Sequence, residues 1–296
     1  MTDQANRLRE LMRSRTGKLR PASDAAPRLL VIAGGKGGVG TTTVAVNLSI
    51  ALAQDGRRTL LVDADSHRAG VAAQCGFSDG YCLSDVLSGS RTLHEAIHRG
   101  PAGIQVLPGR WAGAAETDAS PRAAERLLGE LKGLGQHCDV VLLDVGAAVS
   151  AAARSLWRAA DEVVIVTSPD NVAVMDAYAA VKTLLDTSDR VRVATLINHA
   201  IDTLACHEIH DRLRRACRRF LGIDVHPLGA IPDDPLVRAA AAAMRPVLLH
   251  APTCEAAQRI TRLPACLGLS EDSAGKATDC RDVVATHSET LAPAAD

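Results

Sequence analysis

The sequence predicts an α/β fold, a mainly parallel central sheet flanked by helices. Three observations lead there. Leu29-Leu30-Val31-Ile32-Ala33 and several later aliphatic runs read as strands buried on both faces. Stretches of helical length separate these runs, the alternation that lays helices over a parallel sheet. Five glycines within residues 34–40 stand between the first strand and the helix after it.

The elements follow in order. The first strand is succeeded by a helix from about Thr42 to Gln54. Thr59-Leu60-Leu61-Val62 forms the next strand, ending at Asp63. Val140 to Leu143 ends at Asp144, Val163 to Val166 at Thr167, and Val193 to Ile197 at Asn198. A short strand at 104–107 adds to the sheet. Helices are expected near 68–75, 84–98, 121–133, 150–158 and 171–186, with an arginine-laced helix over 203–220. A last helix over 253–263 is expected to stop at Pro264, which has no N–H to donate. Residues 109–120, around Trp111, read as a surface loop. Ala5, Leu8, Leu11 and Met12 sit at helical spacing and predict a short helix over 3–13, with 14–27 as linker. The polar stretch at the other end, 269–296, reads as a disordered tail.

Composition narrows the function classes. A chain of 296 residues with 47% hydrophobic content supports one large domain. Aromatics make up only 2%, too few for a base-stacking surface that would hold single-stranded nucleic acid. The formal net charge is −1, yet the first 28 residues carry seven Lys/Arg against Asp3, Glu10 and Asp24. That arm suits an acidic partner, lipid or nucleic acid. Eight cysteines occur without a CxxC pair, and neither a secretory signal nor an apolar run of membrane-spanning length is evident. These features predict a reduced, cytoplasmic protein.

The strongest motif is Gly34-Gly35-Lys36-Gly37-Gly38-Val39-Gly40-Thr41-Thr42-Thr43. Between a buried strand and a helix, such a loop turns its backbone N–H groups inward and seats phosphates on the helix N-terminus. Against the pattern G-x-x-x-x-G-K-[ST], Gly35 and Gly40 fill the glycine positions and Thr42 the last, where its hydroxyl can reach Mg²⁺. Thr41 stands where the lysine belongs. Charged hydrogen bonds are worth about 1.5–3 kcal/mol, so the change weakens both nucleotide binding and phosphoryl transfer. No G-x-G-x-x-G is present, which sets a dinucleotide-binding turn aside.

Lys36-Gly37-Gly38-Val39-Gly40-Thr41-Thr42-Thr43 resembles the loop of the MinD/ParA-like deviant-Walker-A ATPases, Lys-Gly-Gly-Val-Gly-Lys-Thr-Thr. The resemblance implies a P-loop NTPase fold over 28–268, with ATP and Mg²⁺ as cofactors. It implies that Lys36 reaches a partner's phosphates across a nucleotide-dependent homodimer. Asp63-Ala64-Asp65 resembles the second acidic motif, which makes Asp65 the residue that orients water and Asp63 a support for Mg²⁺ and the switch. Asp144 resembles the Walker B carboxylate near the metal's water shell. Asn198 matches an adenine-reading asparagine, and Pro232-Asp233 a loop closing over the base. Gly35, Gly37, Gly38, Val39, Gly40, Thr41, Thr42 and Thr43 make up the phosphate cradle.

Within this group the chain resembles the flagellar-number regulators of the FlhG/FleN type. Asp3-Gln4-Ala5-Asn6-Arg7-Leu8-Arg9 is similar to their activating helix, which engages the flagellar signal-recognition-particle-type GTPase FlhF. Asp176-Ala177-Tyr178 and Ile231-Pro232-Asp233-Asp234-Pro235 resemble later family segments. The resemblance implies a FlhF-like partner at residues 3–13, further basal-body or transcriptional partners, and cytoplasmic residence with transient visits to the inner membrane or cell pole. The tail lacks a basic amphipathic helix, so membrane binding is expected to be weak or absent. Without a helix-turn-helix, no sequence-specific DNA binding is expected.

Departures surround the phosphates: Thr41, then Ser66-His67-Arg68-Ala69-Gly70, then Asp144-Val145-Gly146-Ala147. They predict weak or absent hydrolysis. Two alternatives stay open: a ParA-like ATPase binding DNA through Arg212–Arg219, and a scaffold that needs no nucleotide. Cys206, His207, His210 and Cys217 do not have a zinc spacing and read as ordinary helix residues. Cys75, Cys82 and Cys138 read as core thiols.

Overall fold

The computed structural model describes residues 25–65, 68–77, 80–109, 121–147, 151–185 and 191–270. The expected helix over 3–13, the loop at 110–120 and the tail from 271 lie outside the described residues.

The chain runs β1 (Arg28–Gly34), α1 (Thr41–Gln54), β2 (Thr59–Asp63), α2 (Gly70–Cys75), α3 (Leu83–Leu87), α4 (Leu93–Ala96), β3 (His98–Arg99), β4 (Gln105–Leu107) and α5 (Pro121–Lys132). It continues through β5 (Val140–Gly146), α6 (Ala151–Ala159), β6 (Glu162–Thr167), α7 (Asn171–Leu185), β7 (Arg192–Ala200) and α8 (Thr203–Leu221). It closes with β8 (Val225–Pro232), α9 (Pro235–Ala242), α10 (Val247–His250) and α11 (Glu255–Cys266).

The sheet has eight strands in the order β3-β4-β2-β5-β1-β6-β7-β8. All neighbours pair in parallel except β3 with β4. The parallel strands are aliphatic because both faces are covered. Along β1, Leu30 and Ile32 pack into the layer of α1, α10 and α11. Leu29, Val31 and Ala33 face the layer of α6, α7 and α8. The C-terminal ends of β1, β2, β5, β7 and β8 therefore gather at one edge, and every predicted site residue lies there.

Four expectations need correction. The helix expected over 84–98 is two short helices and a strand, broken at Gly89, whose φ is 77°. β8 was not expected, nor was α9. Pro264 does not stop the last helix: α11 runs to Cys266, and Ile260, Leu263 and Pro264 are all buried in it. Core packing of that face outweighs the missing N–H.

Candidate phosphate site at the strand ends

The loop between β1 and α1 is fixed by two close approaches. A Cβ on Gly35 would lie 2.3 Å from the Ala177 nitrogen, so the loop rests directly on the backbone of α7. Gly40 caps α1 with φ 90° and ψ 23°, a left-handed conformation that glycine adopts without penalty. A Cβ there would meet Asn198 Nδ2 at 2.3 Å. Asn198 in turn donates from Nδ2 to Val39 O at 2.8 Å, so its amide buttresses the loop. Thr41, the first residue of α1, is 7% exposed. A Cβ on Gly37 or on Gly38 would meet nothing within 4 Å, and of the two only Gly38 takes a positive φ, 86°.

Lys36 leaves the loop sideways. Its Nζ donates to both Asp170 oxygens, at 2.9 and 3.0 Å. Asp170 also accepts from Ser168 Oγ at 2.6 Å and from the Ala173 N–H at 2.8 Å, closing the first turn of α7. The Ser168 hydroxyl, then Lys36 and the Ala173 N–H, hold its carboxyl far below the usual range. The ion pair is therefore anchored to the loop at one end and to α7 at the other.

Three carboxylates lie at the ends of β2 and β5. Asp63 is buried, and its oxygens accept the Asp65 N–H at 3.3 Å and the Val71 N–H at 3.1 Å. It thus ties the segment after β2 to α2. Burial, then the Asp144 charge, pushes its pKa up to about 8. Asp65 accepts the Arg68 N–H at 3.2 Å and lies against Gly146, where a Cβ would be 2.1 Å from Asp65 Oδ2. Asp144 is fully buried. Its Oδ1 accepts the Gly146 N–H at 3.2 Å, while Oδ2 has no hydrogen-bond partner. Burial raises its pKa to about 6, and the Thr42 hydroxyl opposes that rise. An unpartnered buried oxygen costs free energy unless something satisfies it. A hydrated Mg²⁺ beside Thr42 would do so, because Mg²⁺ keeps several waters and takes few protein ligands. The residues present therefore fit that ion. Thr43 Oγ1 accepts from Gln74 Nε2 at 3.3 Å, which joins α1 to α2.

At the far side of the loop, Pro232 ends β8, and the Asp233 N–H donates to Ala200 O at 3.0 Å. Asp233 Oδ1 pairs with Arg238 Nη1 at 2.6 Å and faces His199 Nδ1 at 3.4 Å. Neither Asp170 nor His199 was predicted. The three-residue step from Asp170 to Ala173 is a legible helix-cap pattern; the position of His199 has no pattern. Among the described residues no three or more of His, Cys, Asp and Glu cluster as ligands for one metal ion. His210 instead shares a 2.6 Å hydrogen bond with Thr195 Oγ1, and burial lowers its pKa to about 4. Cys82 and Cys138 are buried, and Cys75 is half-buried. No described helix is long and apolar enough to cross a membrane.

A parallel sheet with a glycine loop leading into a helix, and carboxylates at the adjacent strand ends, defines a P-loop nucleotide-binding protein. The comparisons agree: residues 27–201 match the AAA domain family model. The chain belongs to the MinD/ParA-like P-loop family and fits its FlhG branch. It is 32% identical to the antiactivator FleN of Pseudomonas aeruginosa, across 74% of this chain and 79% of FleN. It is 27% identical to the flagellum site-determining protein YlxH of Helicobacter pylori, across 80% and 81%. The septum site-determining protein MinD of Pyrococcus horikoshii, solved with Mg-ADP, superposes with a TM-score of 0.69 at 28% identity, across 81% of this chain and 96% of that one.

Proposed function

We propose that this protein is a MinD-like, nucleotide-controlled regulator of flagellar number or placement. The observation that carries the nucleotide reading is Asp144 Oδ2, buried without a partner beside Thr42 at the mouth of the glycine loop. Thr42 would ligate Mg²⁺, Asp144 would accept from its water shell, and the backbone of Gly37 to Thr43 would cradle the phosphates. Thr41 brings a hydroxyl where a P-loop lysine brings a charge, so nucleotide acts mainly as a dimerisation ligand with weak or absent hydrolysis. Lys36 would exchange Asp170 for a second subunit's phosphates. A relative named as a flagellum site-determining protein supports the flagellar reading; the likeness of residues 3–9 to the family's activating helix makes a FlhF-like GTPase the proposed partner for residues 3–13, with cytoplasmic residence and transient visits to the inner membrane or pole.

Equilibrium binding of Mg-ATP and Mg-ADP to the full chain, with Lys36→Ala in parallel, tests the site. Deleting residues 1–15 should abolish stimulation of the GTPase. A second reading, a scaffold that needs no nucleotide, is favoured by Thr41 alone; absence of binding at millimolar nucleotide would establish it over the first.

A further inference from the structure

α7 and α8 lie side by side on one face of the sheet, and a groove of about 430 Å³ opens between them. Val174 and Leu213, both buried, form its floor. Met175 and Tyr178 wall one side, Ala216 and Phe220 the other, so the lining is almost wholly apolar. The chain has two phenylalanines, and one of them, Phe220, stands 68% exposed here, with Met175 at 66%. Large apolar side chains left in water around one groove mark a surface that something covers.

The rim sets the charge of the occupant. Arg212 donates from Nη2 to the uncharged Asn171 Oδ1 at 3.1 Å. Asp224 takes Arg214 and Arg218, at 2.8 and 3.2 Å. Among the described residues Arg215 and Arg219 have no ion pair, and the Arg219 guanidinium lies 5.4 Å over the Phe220 ring. Glu208 and Asp211, the acids of α8, precede this stretch. An occupant must therefore bring apolar side chains together with negative charge.

Two segments of the chain lie outside the described residues at its ends, and charge separates them. Residues 1–24 carry six Lys/Arg against Asp3, Glu10 and Asp24. Residues 271–296 carry Glu271, Asp272, Asp279, Asp282, Glu289 and Asp296 against Lys276 and Arg281. The groove repels the first and attracts the second. Within the second, Asp279 to Leu291 interleaves acids with Val283, Val284 and Leu291. Its root is also well placed. Leu267 O accepts from Arg28 Nη1 at 2.8 Å at the start of β1, and Ser270 donates to Asp55 at 2.6 Å. Arg28 pairs with Glu162 at the start of β6, and His226 of β8 lies 2.9 Å from the same carboxylate. The tail thus leaves the domain at the sheet edge where these strands begin. α8 runs down to that edge, because only Gly222 to Asp224 separate it from β8. Three strand spacings, about 14 Å, lie between β1 and β8. Residues 271–278 extended span about 26 Å.

We propose that residues 279–291 of this chain seat in the α7–α8 groove as an intramolecular cover. Asp279, Asp282 and Glu289 meet Arg212, Arg215 and Arg219, while Val283, Val284 and Leu291 cover Met175, Tyr178 and Phe220. A protein that needs this face must first displace the tail. The cover does not depend on nucleotide, although it shares α7 with the Lys36–Asp170 pair.

Hydrogen exchange of the full chain, read against a synthetic peptide of residues 271–296, tests this. A tethered segment at millimolar effective concentration, with an intrinsic Kd of about 0.1 mM, is seated about ten times in eleven. Amides of 279–291 should therefore exchange about tenfold more slowly in the chain than in the peptide, at every protein concentration. Phe220→Asp, and Arg215→Glu together with Arg219→Glu, should each return them to the peptide's rate; thermal melts confirm that both variants fold. Adding Asp279→Lys and Asp282→Lys to the arginine pair should restore the slowing. Exchange at the peptide's rate in the wild type, or slowing that survives every groove variant, would overturn the proposal. Slowing that grows with protein concentration would give the groove to a second copy, and slowing of 3–13 in place of 279–291 would give it to the basic arm. Either result overturns the cover as well.

Discussion

Thr41→Lys restores the cation of the usual motif, and the structure sets the size and sign of its effects. Thr41 begins a 14-residue helix whose cap is Gly40, with no side-chain cap bond and no acid in the first turn. Its Oγ1 lies 2.8 Å from the point a Cβ on Gly34 would take. A lysine cannot use that pocket and must extend along the open side of the loop, over Gly37. Without ligand, an ammonium at a helix N-terminus opposes the macrodipole and costs about 0.3–1 kcal/mol. With phosphates bound, the same ammonium makes charged hydrogen bonds worth about 1.5–3 kcal/mol. The two effects have opposite signs. The ligand-free variant should melt roughly 1–4 °C lower, while its affinity for Mg-ATP should rise about 10- to 150-fold. Calorimetric titration and thermal unfolding with and without Mg-ATP read both. A folded variant with unchanged affinity would refute the reasoning, because phosphates would then not lie at the head of α1.

Asp170→Asn keeps an acceptor for the Ala173 N–H but removes the charge that holds Lys36. Exposed pairs contribute about 0.2–1 kcal/mol, so nucleotide-dependent dimer formation should rise about 1.4- to 5-fold by sedimentation. Asp63 supplies a pH dependence. Its folded pKa of about 8 stands above the ordinary 3.8, so between those values the folded form holds more protons than the unfolded one. Stability of the ligand-free protein should therefore be greatest at the acid end and fall as pH rises through that window, by an amount on the order of a few kcal/mol. Urea midpoints across the range should show this, and Asp63→Asn should flatten the slope. Gly35→Ala drives a methyl group into the backbone of α7 and should cost about 1–3 kcal/mol in urea unfolding and abolish nucleotide binding.

What could be read in advance follows from how local each signal is. The aliphatic runs of β1, β2, β5, β6 and β7 announce themselves because a strand buried on both faces has little compositional freedom. β8 does not. It lies at the sheet edge and contains Pro227, Gly229 and Pro232, residues that an edge tolerates and that a sequence pattern counts against a strand. Pro264 misleads for the opposite reason: its local cost is real, and burial of the helix face overrides it. The loop and the carboxylates at strand ends were legible because each follows a strand directly. The partnership of Lys36 with Asp170 joins residues 134 apart, and the position of His199 depends on a pairing offset between β7 and β8. Neither leaves a trace in local spacing.

The glycines of the phosphate loop are not interchangeable witnesses. Gly34, Gly35 and Gly40 are crowded by Thr41, α7 and Asn198, and Gly38 takes φ 86°; the folded chain demands all four whether or not anything ever binds. Gly37 meets no part of the chain and takes no special angle. Were this lineage to abandon nucleotides, selection for folding alone would keep the four and release the fifth. A single position, read across descendants of this gene, would then date the loss of the ligand while the rest of the motif still looked intact.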